Sequence, residues 1–176
     1  MFKTSTHWLA ALVTGGLGTA NPTSLLDNQP LRELLGHYIN FGAIQESIDR
    51  GYIDAAAVTA AGYGSARSVT FYQGSSEHQP WDRVRRIGKK KEITLDHVMA
   101  SVAVPMIFPP VRLGDEYFGD GAMRQATPLS PAVHLGADRI LVIGARNEVP
   151  DPKPVRGSMI AHPNLGSIAG YVLDAL

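Results

Sequence analysis

The hydrophobic and polar positions of this chain switch repeatedly between a helical and a strand-like period. In QPLRELLGHYI, which follows Asn28 as a capping residue, apolar residues recur three or four positions apart and Pro30 lies in the first turn, which predicts an amphipathic helix. AIQESIDRG predicts a second short helix that stops at Gly51. Residues 53–61 form an apolar, alanine-rich run and ARSVTFYQG alternates, so these two segments predict neighbouring strands.

The second half of the chain continues the alternation of helices and strands. SSEHQPWDRVRRIGKKKE is expected to be a polar loop, after which Thr94 caps a helix, LDHVMASVAV, that ends at Pro105. VRLGDEYFGDG predicts a hairpin, and PLSPAVHLGA predicts a helix that ends at Gly136. The apolar run in DRILVIGA predicts a central parallel strand, buried on both faces.

The two ends of the chain interrupt this pattern. Residues 5–13 predict a short helix, residues 146–165 form a proline-rich loop, and LGSIAGYVLDAL begins a helix at the last residues. Alternating helices and strands predict an α/β layered fold. Because the pattern opens and stops within elements, the expectation is a fold that is truncated at both ends.

Composition narrows the class of protein only modestly. Sixteen basic and sixteen acidic residues balance each other, no cysteine is present, and no run of 18 apolar residues could cross a membrane. The N-terminal segment faintly resembles a signal peptide, but its apolar block, Trp8–Val13, is shorter than such peptides use. We therefore expect a protein that is cytoplasmic or peripheral to a membrane.

A basic run and scattered histidines are the remaining charged features. The run has three readings: a solvated loop, a surface for anionic lipid, or a nucleic-acid contact, which the balanced overall charge disfavours. Six histidines show no metal-binding spacing, and no glycine-rich phosphate loop is present, so neither a metal nor a cofactor is expected. The basic residues of the run are Arg83, Arg85, Arg86, Lys89, Lys90 and Lys91.

Asp120 is the candidate for chemistry, in the sequence EYFGDGAMRQATPL. Asp-Gly alone is a common turn dipeptide. However, Asp120 follows a predicted strand and precedes a predicted helix, and catalytic carboxylates tend to lie at strand ends in α/β sheets. Gly119 and Gly121 would let the backbone approach a ligand closely.

A serine partner for Asp120 is not found within the chain. A nucleophile elbow requires Gly-x-Ser-x-Gly at a turn from strand to helix, and no serine has that frame. Ser65 and Ser167 each have one adjacent glycine in the wrong register, and Ser101 lies inside a predicted helix. The residues alone therefore do not assemble a serine hydrolase.

The segment from Ala100 to Gly144 resembles the C-terminal catalytic block of patatin-like phospholipases. Members of that family typically carry Ala-Ser, an apolar pair and Pro, and then Phe-Pro-Pro. Asp-Gly-Gly or Asp-Gly-Ala follows, then a Pro that opens a helix, and then Gly-Ala-Asp before an apolar strand. About 45 residues match in this order in ASVAVPMIFPPVRLGDEYFGDGAMRQATPLSPAVHLGADRILVIG. The resemblance extends over almost the whole chain, so residues 1–176 are expected to be a partial domain of the family.

The resemblance implies a three-layer α/β/α sandwich and hydrolysis of lipid acyl esters by a Ser-Asp dyad. Asp120 is then the dyad aspartate, with Gly119, Gly121 and Ala122 beside it, and the serine belongs to an elbow upstream of Met1. The chain alone is expected to be inactive. The alternative is a non-catalytic lipid- or partner-binding domain that uses segment 83–91.

An apolar acyl pocket is a further expectation, because a carboxylate is a weak base at neutral pH unless it is partly desolvated. The residues expected to line this pocket, with core packing as the equal alternative, are Phe108, Tyr117, Phe118 and Met123.

Overall fold

The computed structural model describes residues 24–125 and 128–144 of the chain. The chain divides into two compact units, residues 1–137 and 138–176, and only residues 138–144 of the second unit are described. The predicted helix at residues 5–13, the loop at 146–165 and the closing helix lie outside the described residues.

The described residues of the first unit form a six-stranded mixed sheet. The strands are β1 (Ala55–Gly62), β2 (Ser68–Gly74), β3 (Trp81–Arg83), β4 (Arg86–Lys90), β5 (Val111–Leu113) and β6 (Glu116–Asp120). Their order in the sheet is β3-β4-β2-β1-β6-β5. β2 and β4 are parallel, and the other neighbouring pairs are antiparallel. The predicted strand pair and the predicted hairpin are both confirmed, as β1–β2 and β5–β6.

Four α-helices and one short 3-10 helix accompany the sheet in the described residues, and the helices predicted there are confirmed. Asn28 occupies the N-cap position of the first helix, as predicted, but its side chain makes no capping bond. The Asp27 carboxylate instead accepts from the Gln29 N–H at 3.0 Å. The helices are α1 (Gln29–Tyr38), α2 (Gly42–Asp49), α3 (Leu95–Ser101), the 3-10 helix Gly121–Met123 and α4 (Ser130–His134).

Helices lie on both faces of the sheet. Because side chains alternate along each strand, neighbouring residues of one strand contact helices on opposite faces. On one face, Phe71 of β2 contacts His97 of α3, with ring centroids 4.6 Å apart. Gln73 points to the same face, and its amide donates to Gln45 of α2 at 2.8 Å. On the other face, Trp81 stacks on His134 of α4 at 4.7 Å. The predicted three-layer α/β/α arrangement is therefore present.

The apolar core lies between the sheet and α3. Ala60, Val69, Phe71, Ala100 and Phe118 form one buried cluster, with the rings of Phe71 and Phe118 edge to face at 5.3 Å. Because these residues come from β1, β2, α3 and β6, burying them fixes the register of the strand that ends at Asp120.

The polar segment after β2 was predicted as a loop, and the structure shows that this was wrong. The segment contains the β3–β4 hairpin, and β4 extends the sheet alongside β2. Trp81 causes the difference, because its buried ring lies directly over Gly88 and stacks on Tyr72 at 5.3 Å. One aromatic residue and one glycine thus hold a hairpin whose other residues are mostly polar.

The apolar run in DRILVIGA was predicted to be a buried parallel strand, and the described residues contradict this. Residues 138–144 form no strand, and Leu141 and Ile143 are each 88% exposed. An apolar run becomes a strand only when neighbours satisfy its backbone N–H and C=O groups. None of the described strands pairs with this run.

Candidate active site around Asp120

Asp120 is placed by the pairing of β6 with β1 and by the segment that follows α3. It is the last residue of β6 and pairs with Ala60 of β1. Its N–H donates to the Ala103 carbonyl at 2.9 Å, just beyond the end of α3. Two neighbouring elements therefore hold its backbone, and the chain turns at once into the 3-10 helix Gly121–Met123.

The carboxylate of Asp120 is oriented by the turn that follows it. Oδ1 accepts a hydrogen bond from the Ala122 N–H at 2.8 Å, which is the local bond that aspartate favours at such turns. Among the described residues, no basic side chain forms an ion pair with this carboxylate. The hydrogen bond therefore fixes the orientation of the carboxylate, and no ion pair among the described residues compensates its charge.

The glycines on either side of Asp120 are packed against other parts of the protein. A side chain at Gly121 would collide with the Thr59 carbonyl, so the backbone of the turn can lie against β1 only with glycine at this position. A Cβ atom at Gly119 would lie 2.6 Å from the Tyr63 hydroxyl oxygen. Ala122, by contrast, is exposed.

A cavity of about 750 Å³ opens beside Asp120. It follows the edge of β1 from Ala55 to Thr59, because β6 pairs only with Ala60–Gly62. The side chains that line the cavity are mostly small and apolar. In addition to Asp120, Gly121 and Ala122, the lining residues are Ala55, Ala57, Val58, Thr59, Val98, Ser101, Gln125, Pro128, Pro131, Ala132 and Leu135.

The residues predicted to line an acyl pocket do not line this cavity, so that expectation was wrong for it. Phe118 belongs to the core on Phe71, and Tyr117 is half exposed beyond the sheet. Phe108 and Met123 are partly buried elsewhere. Spacing along β6 made the aromatic residues look adjacent to Asp120, but the sheet directs Phe118 into the core.

Ser101 is a cavity residue that sequence reasoning set aside. It is the last residue of α3 and lines the same cavity as Asp120. A signal for it was available, because the Ala-Ser pair stands at a fixed distance before Phe-Pro-Pro in the matched motif. The fold of α3 onto β1 and β6 is what brings it to the cavity of Asp120.

Tyr63 is a second neighbour that the sequence did not reveal. Its N–H donates to the Tyr117 carbonyl at 3.0 Å, and its ring lies over Gly119. Burial raises the pKa of the Tyr63 hydroxyl above 10.0, and the negative charge of Asp120 raises it further. The phenol therefore stays protonated at neutral pH and remains a hydrogen-bond donor.

The basic run does not form one continuous surface. Arg86, Gly88 and Lys90 point to one face of the sheet and Ile87 and Lys89 to the other, because β4 alternates. Lys90 donates to the Ser75 carbonyl at 2.6 Å. Lys89 and Lys91 line a separate cavity of about 610 Å³ near His97. Only Arg83, Arg85 and Arg86 cluster, around the β3–β4 turn.

The described residues contain neither a metal-binding cluster nor a helix that could span a membrane. Within residues 24–125 and 128–144, no group of three or more His, Asp or Glu side chains could hold a metal ion. No helix in this same part of the chain has the length and apolar character needed to cross a membrane.

Comparison with known proteins assigns the family. The profile of the patatin-like phospholipase family matches residues 2–133, which include every strand of the sheet and Asp120. No curated protein and no solved structure matches the chain significantly. The match covers well over half of the chain and includes the motif around Asp120, and this chain belongs to the patatin-like phospholipase family.

Proposed function

We propose that this chain is part of a lipid acyl hydrolase in which Asp120 is the general base of a Ser-Asp dyad. Family membership supports hydrolase and phospholipase activity in general. The observation that carries the finer proposal is the position of Asp120, at the end of β6 and in the wall of a 750 Å³ cavity. Gly119, Gly121 and Ala122 shape the turn that aims its carboxylate.

The proposed reaction needs one proton acceptor in this position. The serine hydroxyl attacks the ester carbonyl while Asp120 accepts the hydroxyl proton, and the same proton passes to the departing alcohol when the acyl-enzyme forms. Water then attacks the acyl-enzyme. Asp120 accepts a proton from this water and returns it to the serine oxygen as the fatty acid is released. Because Oδ1 already accepts from the Ala122 N–H, Oδ2 is the oxygen that we assign to the proton.

The serine of the dyad is proposed to lie outside these 176 residues. No serine of the chain has the Gly-x-Ser-x-Gly frame. Ser101 reaches the right cavity, but it lies at the C-terminal end of α3, where backbone carbonyls rather than N–H groups are exposed. An oxyanion there would meet the negative end of the helix dipole. We therefore expect the isolated chain to be inactive.

An ester assay and a serine-directed label test this proposal. The purified chain should show neither turnover of p-nitrophenyl butyrate nor labelling by a fluorophosphonate. Turnover by the chain alone would contradict the absence of the nucleophile, and a Ser101→Ala variant that abolished such turnover would identify Ser101 in its place.

The role of Asp120 is tested in the coding sequence extended upstream of Met1 to include the elbow. Asp120→Ala should lower kcat by about 10²–10⁴-fold, the range for loss of a general base. Asp115→Ala is the matched control, because Asp115 is an exposed aspartate in the neighbouring β5–β6 turn. Hydrolysis that survives Asp120→Ala would remove Asp120 from the mechanism.

Lipid is the proposed substrate and partner, with peripheral membrane contact through the basic segment 83–91. Within this segment we assign the contact mainly to Arg83, Arg85 and Arg86 at the β3–β4 turn, because Lys89, Lys90 and Lys91 lie further along β4 and beyond its end. The exposed arginines of this segment also favour the second candidate, a non-catalytic domain that binds lipid or another partner. The two candidates differ in one measurement: a non-catalytic binder would attach to vesicles but would stay without ester hydrolysis even with the upstream segment present.

A further inference from the structure

Three β-turns lie at one end of the sheet. The strands β2, β4 and β6 all begin at this end, and each follows a turn from the strand before it in the chain. The turns β1–β2, β3–β4 and β5–β6 therefore project in one direction. We call this surface the turn end, and define it by residues 63–67, 83–86 and 112–117.

The β3–β4 turn carries a protruding apolar residue among arginines. Val84 is 89% exposed, and Arg83, Arg85 and Arg86 beside it are all exposed. None of these arginines forms an ion pair with a described residue. The stacking of Trp81 on Tyr72 holds the base of the hairpin, so the turn is presented by a fixed element rather than by a free loop.

The neighbouring turns add amphipathic aromatic residues at the same end. Tyr63 is 47% exposed and Tyr117 is 51% exposed, with their backbones joined by the Tyr63 N–H to Tyr117 carbonyl bond. Tyrosine suits a boundary between apolar and aqueous surroundings, because its ring is apolar and its hydroxyl is polar.

Two of the three acidic residues in the turn end or next to it are engaged within the protein. Asp82 accepts from Arg67 at 2.9 Å, and Glu116 accepts from the Ser65 N–H at 2.6 Å. Asp115 is exposed in the β5–β6 turn, where Arg112 is also exposed. The uncompensated charge of this end is therefore positive and is concentrated at the β3–β4 turn.

We propose that the turn end docks on the surface of an anionic lipid bilayer. Val84 enters the headgroup region, the three arginines contact lipid phosphates, and Tyr63 and Tyr117 lie at the level of the headgroups. An apolar tip among cations is favoured there by apolar burial and by attraction to the negative surface together. The proposal rests on the proposed function only in that the bilayer holds the substrate.

This docking orientation has a consequence for the candidate active site. Arg86, Ser68, Ala61 and Gly119 follow one another across four strands in paired register. Three strand spacings separate Arg86 from Gly119, which is roughly 14 Å. Asp120 lies one residue inward from this row, so the docked end is also the end of the sheet near Asp120.

A vesicle flotation assay on the chain tests the docking. Phosphatidylcholine vesicles with phosphatidylserine should carry the protein upward, and vesicles without phosphatidylserine should carry much less. The variant Arg83→Glu/Arg85→Glu should lower partitioning by more than about tenfold, because each basic residue near an anionic surface contributes roughly fivefold. The matched control, Lys89→Glu/Lys91→Glu, changes the charge equally but should retain most of the binding.

Insertion of the turn is measured separately from charge. The unaltered chain already contains Trp8 and Trp81, so each variant is compared with it. Relative to the unaltered chain, Val84→Trp should add a blue-shifted fluorescence component that brominated lipids quench, whereas Val133→Trp should not. Val133 is 60% exposed on α4 and serves as the matched valine. This readout reports the position of the residue directly, so it does not depend on a loss of binding that misfolding could cause.

Several results would overturn the docking proposal. These are equal flotation on neutral and anionic vesicles, equal losses in the two double variants, or an unquenched Trp at position 84. Binding of soluble polyuridylate in preference to vesicles would indicate a nucleic-acid surface instead. Asp120→Ala should float like the unaltered chain, so failure of docking and failure of the hydrolase assignment give distinct results.

Discussion

At the scale of single residues, the turn after β6 depends on one local contact and on one contact that is distant in sequence. Asp120 is aimed by the Ala122 N–H, and Gly121 lies against the Thr59 carbonyl of β1. Asp-Gly is common in turns for local reasons. Here the glycine has an additional reason that is not local, because the backbone of β1 occupies the space that a side chain would need.

Replacement of Gly121 by alanine is therefore expected to destabilise the fold. The new Cβ atom would meet backbone rather than a flexible side chain, so the turn and β1 must move apart, at a cost of about 1–3 kcal/mol in the free energy of unfolding. Urea unfolding followed by tryptophan fluorescence measures the change.

The control for this substitution is Gly64→Ala in the β1–β2 turn. The nearest atom to a Cβ at Gly64 is Glu116 Oε1 at 3.5 Å, which is ordinary contact. Its free energy of unfolding should change by less than about 0.5 kcal/mol, as at tolerant surface positions. Equal effects at the two positions would show that Gly121 does not lie against β1.

At the scale of elements, α3 joins the core to the candidate site and is capped by its own histidine. His97 Nδ1 accepts from the Thr94 N–H at 3.1 Å and lies 2.8 Å from Thr94 Oγ1. Burial lowers the pKa of His97 below 6.5, Asp96 opposes this shift, and Lys91 adds to it. The folded protein therefore holds this imidazole neutral, as the cap requires.

The lowered pKa of His97 predicts loss of stability in mild acid. Below about pH 6.5 the unfolded chain gains a proton at this position before the folded chain does, so unfolding becomes more favourable as the pH falls through this range. This loss of stability reaches its limit once the pH is below the pKa of His97 in the folded protein. The free energy of unfolding should therefore be lower at pH 5 than at pH 7.5.

His97→Gln separates this residue from the other titrating groups. Glutamine can still cap Thr94 from the same position but carries no titrating ring. The variant should lose less stability between pH 7.5 and pH 5 than the unaltered chain, as measured by urea unfolding at each pH. The same pH dependence in both proteins would assign the effect to other residues.

At the scale of the whole molecule, apolar surface remains exposed after the sheet and its helices have formed. Ile140, Leu141, Val142 and Ile143 are consecutive, and all four are exposed. Contiguous apolar residues on a surface favour association between molecules, particularly where the segment has high strand propensity. We expect the isolated chain to associate and to have poor solubility.

Leu141→Lys/Ile143→Lys should reduce this association. The two lysines interrupt the apolar run and add like charges, so the weight-average mass in sedimentation at a given concentration should fall. Tyr52→Lys is the control, because Tyr52 is an exposed but isolated aromatic residue. If the unaltered chain is monomeric and unfolds in one sharp thermal transition, the expectation of association is contradicted.

The sequence by itself determined the local elements and the identity of the family. Amphipathic spacing and stop signals located α1, α2 and α3. An apolar run located β1, alternation located β2, and a Gly-Asp turn located the β5–β6 hairpin, because these patterns reflect burial and turn geometry within one short segment. The order of short motifs around Asp120 indicated the patatin-like family, whose profile matches residues 2–133.

The tertiary structure decided which residues meet. The β3–β4 hairpin depends on Trp81 reaching Gly88 and Tyr72, and the cavity beside Asp120 depends on α3 and α4 lying on opposite faces of β1. Spacing along the chain therefore did not reveal that Ser101 and Tyr63 lie near Asp120. It also did not reveal which face of β4 each basic residue takes. Contacts between distant segments follow from strand register and from which face each side chain takes, and neither is encoded within one local stretch.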